Sequence, residues 1–290
     1  MSTPEEPKFT SMRDAVSEFE KSFDSPNEDE FFSTGFEAHD KALGRLRNGT
    51  LTLVGARTSM GKTALLLSWA LRQLEAGIKV FFFTLEMPMR DMIARIVSIK
   101  SGVRLLDILE RKLDEDEVYR VVKSLPEIKM LPGDWATDQP LPAIEKLFSQ
   151  IPPNSRSVAY VDFLGLIYVP DIRPSDQYAA VTQIGLALKR QAMTLGIPVI
   201  CSVQLNREVE KRKDREPQLS DFRDSGRLEE AADLALGLYR PGFYDDEKPD
   251  DELQVFCLKN RNGPRLNYVL QWDKECAAVR ERSRGLSWTE

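Results

Sequence analysis

Apolar and polar positions change period several times along this chain. In Met12–Phe23, Val16, Phe19 and Phe23 fall at spacings of three and four, which predicts a short helix with one apolar stripe. Residues 24–30, Asp-Ser-Pro-Asn-Glu-Asp-Glu, end it in an acidic, turn-rich linker. Such a helix docks either on its own domain or on a neighbouring subunit. From residue 31, short apolar runs alternate with amphipathic ones. Runs 50–54, 79–84, 128–131, 158–161, 198–203 and 233–239 read as strands. Helices are predicted over 63–76, stopped by Gly77, and from Pro88 to Ser101. Two more are predicted at 141–148, with Leu141, Ile144, Leu147 and Phe148 on one face, and from a Ser175 cap to Leu195. This alternation predicts an α/β fold, a mostly parallel sheet with helices on both faces. After residue 250 the pattern becomes two strands, 253–258 and 266–272, with Asn262-Gly263 as a hairpin turn signal.

Composition narrows the class. The chain has 290 residues, 40 basic and 46 acidic, a net charge of −6 and 42% apolar residues. It is too apolar for wholesale disorder, and its length suits one large domain with a tail or two small ones. The organisation expected is a disordered start plus a linker helix (about 12–23) within 1–30, one domain over 31–282 and a tail over 283–290. The longest uncharged run, Gln191–Asn206, is broken by Gly196 and Pro198, so no membrane span and no membrane partner are expected. The acidic N-terminus lacks the apolar stretch of a signal peptide. Cys201, Cys257 and Cys276 show no paired spacing, and His39 is the single histidine, so no zinc site is expected and the cytoplasm is the default compartment. Acidity argues against a nonspecific nucleic-acid coat but leaves room for a local site.

The strongest chemical signal is Ala56-Arg57-Thr58-Ser59-Met60-Gly61-Lys62-Thr63. It fits the phosphate-loop pattern, with Ala at the first place, between a strand and a helix. Small residues let backbone N–H groups converge on phosphate, Lys62 adds a point charge, and Thr63 offers a hydroxyl to Mg²⁺. Asp162 ends a strand at the edge where open parallel sheets bind ligands, and beside a phosphate loop it reads as a second metal-holding group. Glu86 follows strand 79–84. It is either a base for attacking water or an acid favoured by the helix start at Pro88. Gln204 ends strand 198–203 and is either a γ-phosphate contact or a strand-end polar residue. Segment 207–226 is long, charged and turn-rich, hence a solvated loop or a functional one. Its Ser220–Gly226 part could offer an arginine and backbone N–H groups to nucleic-acid phosphate. Lys259 and Arg261 alternate with Asn260, so both point one way. They are either an exposed charged hairpin or cations donated across a subunit interface.

Taken together, SMGKT at 59–63, LEMP at 85–88, VDFLGL at 161–166, QLNREVEKR at 204–212, SDFRDSG at 220–226, EEAAD at 229–233 and KNRNGP at 259–264 resemble the C-terminal motor domain of DnaB-type replicative helicases. That domain is a RecA-like ATPase, and the resemblance covers roughly residues 31 to 281. It implies ATP and Mg²⁺ as cofactors. Residues 56–63 would bind nucleotide, with Thr63 and Asp162 on the metal, Glu86 as catalytic base and Gln204 as γ-phosphate sensor. It makes Lys259 and Arg261 the fingers of the adjacent subunit, and Arg223, Asp224 and Gly226 the contacts to single-stranded DNA. The helix at 12–23 would be the linker helix that packs on the next subunit. The partners implied are single-stranded DNA, further copies of the chain in a hexamer or related ring or spiral, and a helicase loader or primase.

The departures are specific. Only about 30 residues precede the motor, so the family's N-terminal collar is expected to be missing. Thr58 stands where proline is usual, Gly165 where Gln is common, and Gly185-Leu186 where Ser-Arg is common; Arg227 and Ala231 also differ. The function expected is an ATP-dependent DNA helicase or translocase. The alternative is a collarless accessory module that binds nucleotide and regulates a replication or recombination complex without unwinding.

Overall fold

A computed structural model describes residues 11–24, 30–112, 115–124, 127–131, 139–173 and 176–282 of the chain. The expected disordered start at 1–10, the tail at 283–290 and the Ser175 cap lie outside the described residues. α1 (Met12–Asp24) leads, followed by β1 (Phe31–Phe32), α2 (Glu37–Leu43) and β2 (Leu46–Arg47). Next come β3 (Leu51–Ala56), α3 (Lys62–Glu75), β4 (Lys79–Thr84), α4 (Met89–Ser101), α5 (Leu105–Leu109) and α6 (Glu115–Ser124). The middle holds β5 (Lys129–Leu131), β6 (Gln139–Pro140), α7 (Leu141–Phe148), β7 (Ser157–Asp162), β8 (Ile167–Tyr168) and α8 (Gln177–Leu195). The last part is β9 (Val199–Gln204), α9 (Gly226–Ala231), β10 (Leu234–Tyr239), β11 (Glu252–Asn260), β12 (Tyr268–Asp273) and β13 (Ala278–Arg280).

One sheet organises the domain, in the order β13-β12-β11-β10-β3-β9-β7-β4-β5. Strands β10 through β5 run parallel, and β11 to β13 extend the β10 edge antiparallel. β3 and β7 are buried along their whole length, because helices cover both faces. β11 and β12 instead alternate, burying Leu253, Val255 and Cys257, then Tyr268, Leu270 and Trp272. One core packs α3 with Leu65, Leu66 and Trp69 beneath the β11–β12 face. The other packs Leu141, Ile144 and Phe148 of α7 and Ile184, Leu188 and Leu195 of α8 on the opposite face. Each such side chain contributes about 1.5–3 kcal/mol when fully buried. His39 of α2 is also buried, within 2.7 Å of the Tyr268 hydroxyl and edge-on to Trp69, and ties α2 to β12.

Several expectations need correction. α8 is capped by Asp176, whose side chain accepts from the Ala179 N–H at 3.2 Å. The hairpin does not turn tightly at Asn262-Gly263. β11 pairs with β12 only as far as Val255 opposite Tyr268, and then continues along β10 to Asn260. Pro264 has no N–H to close a tight ladder, and the Asn260 side chain braces the wide tip by donating to the Pro264 carbonyl and accepting from the Asn262 N–H. Segment 207–226 is not simply a solvated loop. It forms short 3-10 turns at Arg207–Lys211 and Leu219–Ser225, and Val209, Asp221 and Phe222 are buried. The α1 helix forms as expected, with Val16 and Phe19 still 45% and 63% exposed. Among the described residues no helix is long and apolar enough to cross a membrane.

Candidate active site

The strand order brings three carboxyl ends together. β9 lies between β3 and β7, so Gln204 pairs with Ala56 on one side, and Asp162 ends the strand on the other. β4 adds Thr84 opposite Asp162, with Glu86 two residues on. The loop after β3 turns through Ser59 at φ 64° and Gly61 at φ 96°, left-handed values that favour glycine at the second. Gly61 has a further reason to be glycine: a Cβ there would stand 2.8 Å from the Trp272 ring. α3 then starts at Lys62, with its N-terminal N–H groups facing the loop.

A cavity of about 330 Å³ opens there, lined by Thr58, Ser59, Gly61, Lys62, Thr63, Ala64, Glu86, Met87, Arg95, Phe163, Gln204, Trp272 and Ala277. Asp162, 1% exposed, is bonded to the lining residue Thr63. Its two oxygens accept from the Thr63 hydroxyl at 2.6 Å and the Ser202 hydroxyl at 2.5 Å. Lys62 donates to the Ala56 and Arg57 carbonyls, both at 3.3 Å, and Gln204 donates to Thr58 at 3.4 Å. Burial pulls the Lys62 pKa below its usual value, against the opposing pull of Asp162 and Glu86. Glu86 reaches solvent at the cavity edge. Partial burial of its carboxyl, then the charge of Asp162, raise its pKa, while Lys62 and Arg95 oppose the rise. The donor set fits a nucleotide with a divalent cation: a hydroxyl and a buried carboxylate in contact, an amine held by two loop carbonyls, and the N–H groups of a helix N-terminus. Ala56 and Met60 are buried beneath the loop, and the Arg57 side chain turns away from the cavity into a larger cleft.

Three cavity-lining residues and one neighbour of the loop were not read from the sequence. Arg95 enters from α4, its pKa lowered by burial against the pull of Asp162. Trp272 and Ala277 come from the C-terminal strands. Arg240 stacks on Trp272 at 4.2 Å and donates to the Ser59 carbonyl at 3.2 Å. Their distance along the chain hides them; only the position of α4 and the antiparallel extension beyond β10 brings them to the loop.

The remaining expected residues lie elsewhere. Lys259 donates to the Glu229 carbonyl at 2.5 Å, and Arg261 donates to the Glu230 carbonyl and sits 3.6 Å from Asp233. Both therefore hold the C-terminal end of α9, as their shared direction predicts. Asp233 accepts from the Leu51 N–H at 2.8 Å, so this cluster lies at the start of β3, and the phosphate loop follows its end. Arg223 and Asp224 fall in the Leu219–Ser225 turn, with their side chains outside what is described, and Gly226 begins α9.

A phosphate loop after the central strand, a buried acid two strands away and a strand ending in Gln204 between them define a RecA-like P-loop NTPase. The chain belongs to the DnaB-like helicase C terminal domain family, whose model matches residues 32–281. It is 33% identical over 226 residues to the replicative DNA helicase DnaB of Helicobacter pylori (strain J99), covering 76% of this chain and 46% of that protein. Against the DnaB of Geobacillus stearothermophilus it is 27% identical, covering 83% and 55%. The chain thus spans about half the length of the curated relatives it matches. One solved ATPase domain superposes with a TM-score of 0.85 at 27% identity, over 95% of this chain and all of that one. A DnaB-like replicative helicase, solved in a study of its interactions with primase, gives 0.81 at 26% identity, over 96% and 68%.

Proposed function

We propose that this chain is an ATP-driven DNA motor, a helicase or translocase that works on single-stranded DNA as a ring or spiral of identical subunits. ATP would be hydrolysed between subunits. The observation that carries this reading is the separation of Lys259 and Arg261 from the phosphate loop of their own chain. Asp233, which tethers Arg261, holds the start of β3, and Lys62 follows its end. Six extended residues span about 20 Å, far beyond the reach of an arginine side chain. A neighbour's cavity is the natural destination for those cations.

Each residue then has a task. Lys62 and the loop N–H groups hold the β and γ phosphates, and Thr63 and Asp162 hold Mg²⁺. The metal, when bound, withdraws charge from the phosphate oxygens. Glu86 orients and deprotonates the attacking water, helped by its raised pKa. Gln204, on the strand between the two motifs, senses the γ-phosphate. Arg223, Asp224 and Gly226 track DNA phosphates, and the exposed stripe of α1 clasps the next subunit. The resemblance to a helicase solved in a study of its interactions with primase supports a primase or loader as a further partner. The test is ATPase with and without single-stranded DNA, followed by strand displacement. Stimulation with unwinding supports the motor. Hydrolysis without unwinding favours the accessory module, and an assembled protein inert to DNA refutes both motor activities.

A further inference from the structure

Arg57 is the one cation of the phosphate loop besides Lys62, and its side chain is 10% exposed and absent from the residues lining the loop cavity. It reaches sideways instead. Its Nη1 donates to the Leu205 carbonyl at 2.7 Å and its Nε to Glu210 Oε1 at 2.9 Å. The Leu205 N–H returns a bond to the Ala56 carbonyl at 3.0 Å. The segment after Gln204 is therefore fastened to the phosphate loop at three points.

That segment is fastened again at its other end. Arg212 donates twice to the carboxylate of Asp221, at 2.6 Å each, and Asp221 also accepts from the Gln218 N–H at 2.6 Å. The Asn206 N–H donates to the Asp221 carbonyl at 3.0 Å. Phe222 fills the space over Gly55, where a Cβ would meet its ring at 2.3 Å. Residues 205–222 thus form a closed, doubly pinned unit, with Arg57 at one end and the backbone that leads into Arg223 at the other.

We infer that Arg57 and Glu210 are positioning residues that transmit movement of the phosphate loop to the segment carrying Arg223. This rests on the motor reading above for its purpose, though the link itself does not. A phosphate drawn in by Lys62 competes for that side chain with the Ala56 and Arg57 carbonyls, which flank the Arg57 side chain. Any shift of this peptide is carried through a bidentate-capable guanidinium rather than lost in a flexible loop. A solely architectural salt bridge would be expected to affect stability and leave the response of the distant segment intact.

Glu210 supplies the test, because it touches neither cavity nor nucleotide. In the whole chain carrying Glu210→Ala, basal ATP hydrolysis and the KM for ATP stay at wild-type values, while the fold-stimulation by single-stranded DNA falls to parity. Glu210→Asp restores part of it. Wild-type stimulation in Glu210→Ala overturns the link, and loss of basal hydrolysis with nucleotide binding intact places Glu210 in the chemistry instead. Amide exchange over 218–228, with and without a non-hydrolysable ATP analogue and Mg²⁺, reads the link without DNA. Nucleotide protects this segment in the wild type and not in Glu210→Ala. Equal protection in both, or none in the wild type, refutes the transmission. A wild type that shows the exchange response but no DNA stimulation sinks the motor reading alone.

Discussion

Removing the Arg261 guanidinium tests the proposed intersubunit site most directly. An arginine finger is worth about 10³–10⁵ in rate, or about 4–7 kcal/mol of barrier. Among the described residues the Arg261 guanidinium holds only the Glu230 carbonyl and a 3.6 Å approach to Asp233, at a half-exposed position. Exposed ion pairs contribute about 0–1 kcal/mol, so the rate term dominates and the finger is free to leave its perch. Arg261→Ala should therefore fold, bind ATP and assemble, yet lose nearly all hydrolysis. Lys62→Ala should also be inactive, for the opposite reason. Mixed in one assembly, the two variants place an intact phosphate loop beside an intact finger at about one interface in four, by random heterologous pairing. Steady-state ATPase on single-stranded DNA, with assemblies shown by mass to contain both chains, should recover to that order. A site completed within one chain gives no recovery at any ratio. That result, or a wild-type rate from Arg261→Ala alone, would falsify the trans arrangement.

Three further outcomes are expected. Glu86→Gln should retain nucleotide binding and lose hydrolysis, and the wild-type rate should rise with pH through a midpoint above the ordinary carboxylate range, since burial and Asp162 raise the Glu86 pKa and a base must be ionised to act; a flat profile across that range argues against Glu86. Gly61→Ala adds about 1–2 kcal/mol of left-handed backbone strain and drives a methyl toward Trp272, so titration with a fluorescent nucleotide should show markedly weaker binding, and wild-type affinity would contradict the loop geometry. Burial lowers the His39 pKa from 6.5 to about 3; the unfolded chain then binds the extra proton below pH 6.5, and stability from this group falls by about 1.4 kcal/mol per unit toward pH 3. Between pH 7 and 5.5 that slope only sets in, so urea unfolding should lose about 1 kcal/mol in the wild type and less in His39→Gln; equal losses would exclude the histidine as the source.

The fold was legible where period and punctuation are local. β4 and α7 fall within the residues expected, and the phosphate loop sits between its strand and helix as the motif requires. The C-terminal hairpin forms antiparallel as expected, but its tip is wide, because the turn signal is local while the register is not: β11 outruns β12 by pairing with β10. The cap of α8 was misplaced by one residue, a choice between neighbouring oxygens that propensity does not separate.

The sequence by itself determined which residue types were available and the edge to which each strand delivers them: Lys62 and Thr63 after β3, Asp162 at the end of β7, Gln204 at the end of β9. Alternation and motif spacing act over a few residues, and the chain carries that information directly. The tertiary structure decided the order of the strands, and with it that β9 stands between β3 and β7 and that Trp272 and Arg240 close over the loop. It also decided that Arg57 turns away from the loop cavity toward Glu210, and that Lys259 and Arg261 stand by the start of β3, at the opposite edge of the sheet from the phosphate loop. Those facts depend on pairing and packing between segments far apart in the chain, and no local pattern fixes which of several buried strands lies next to which.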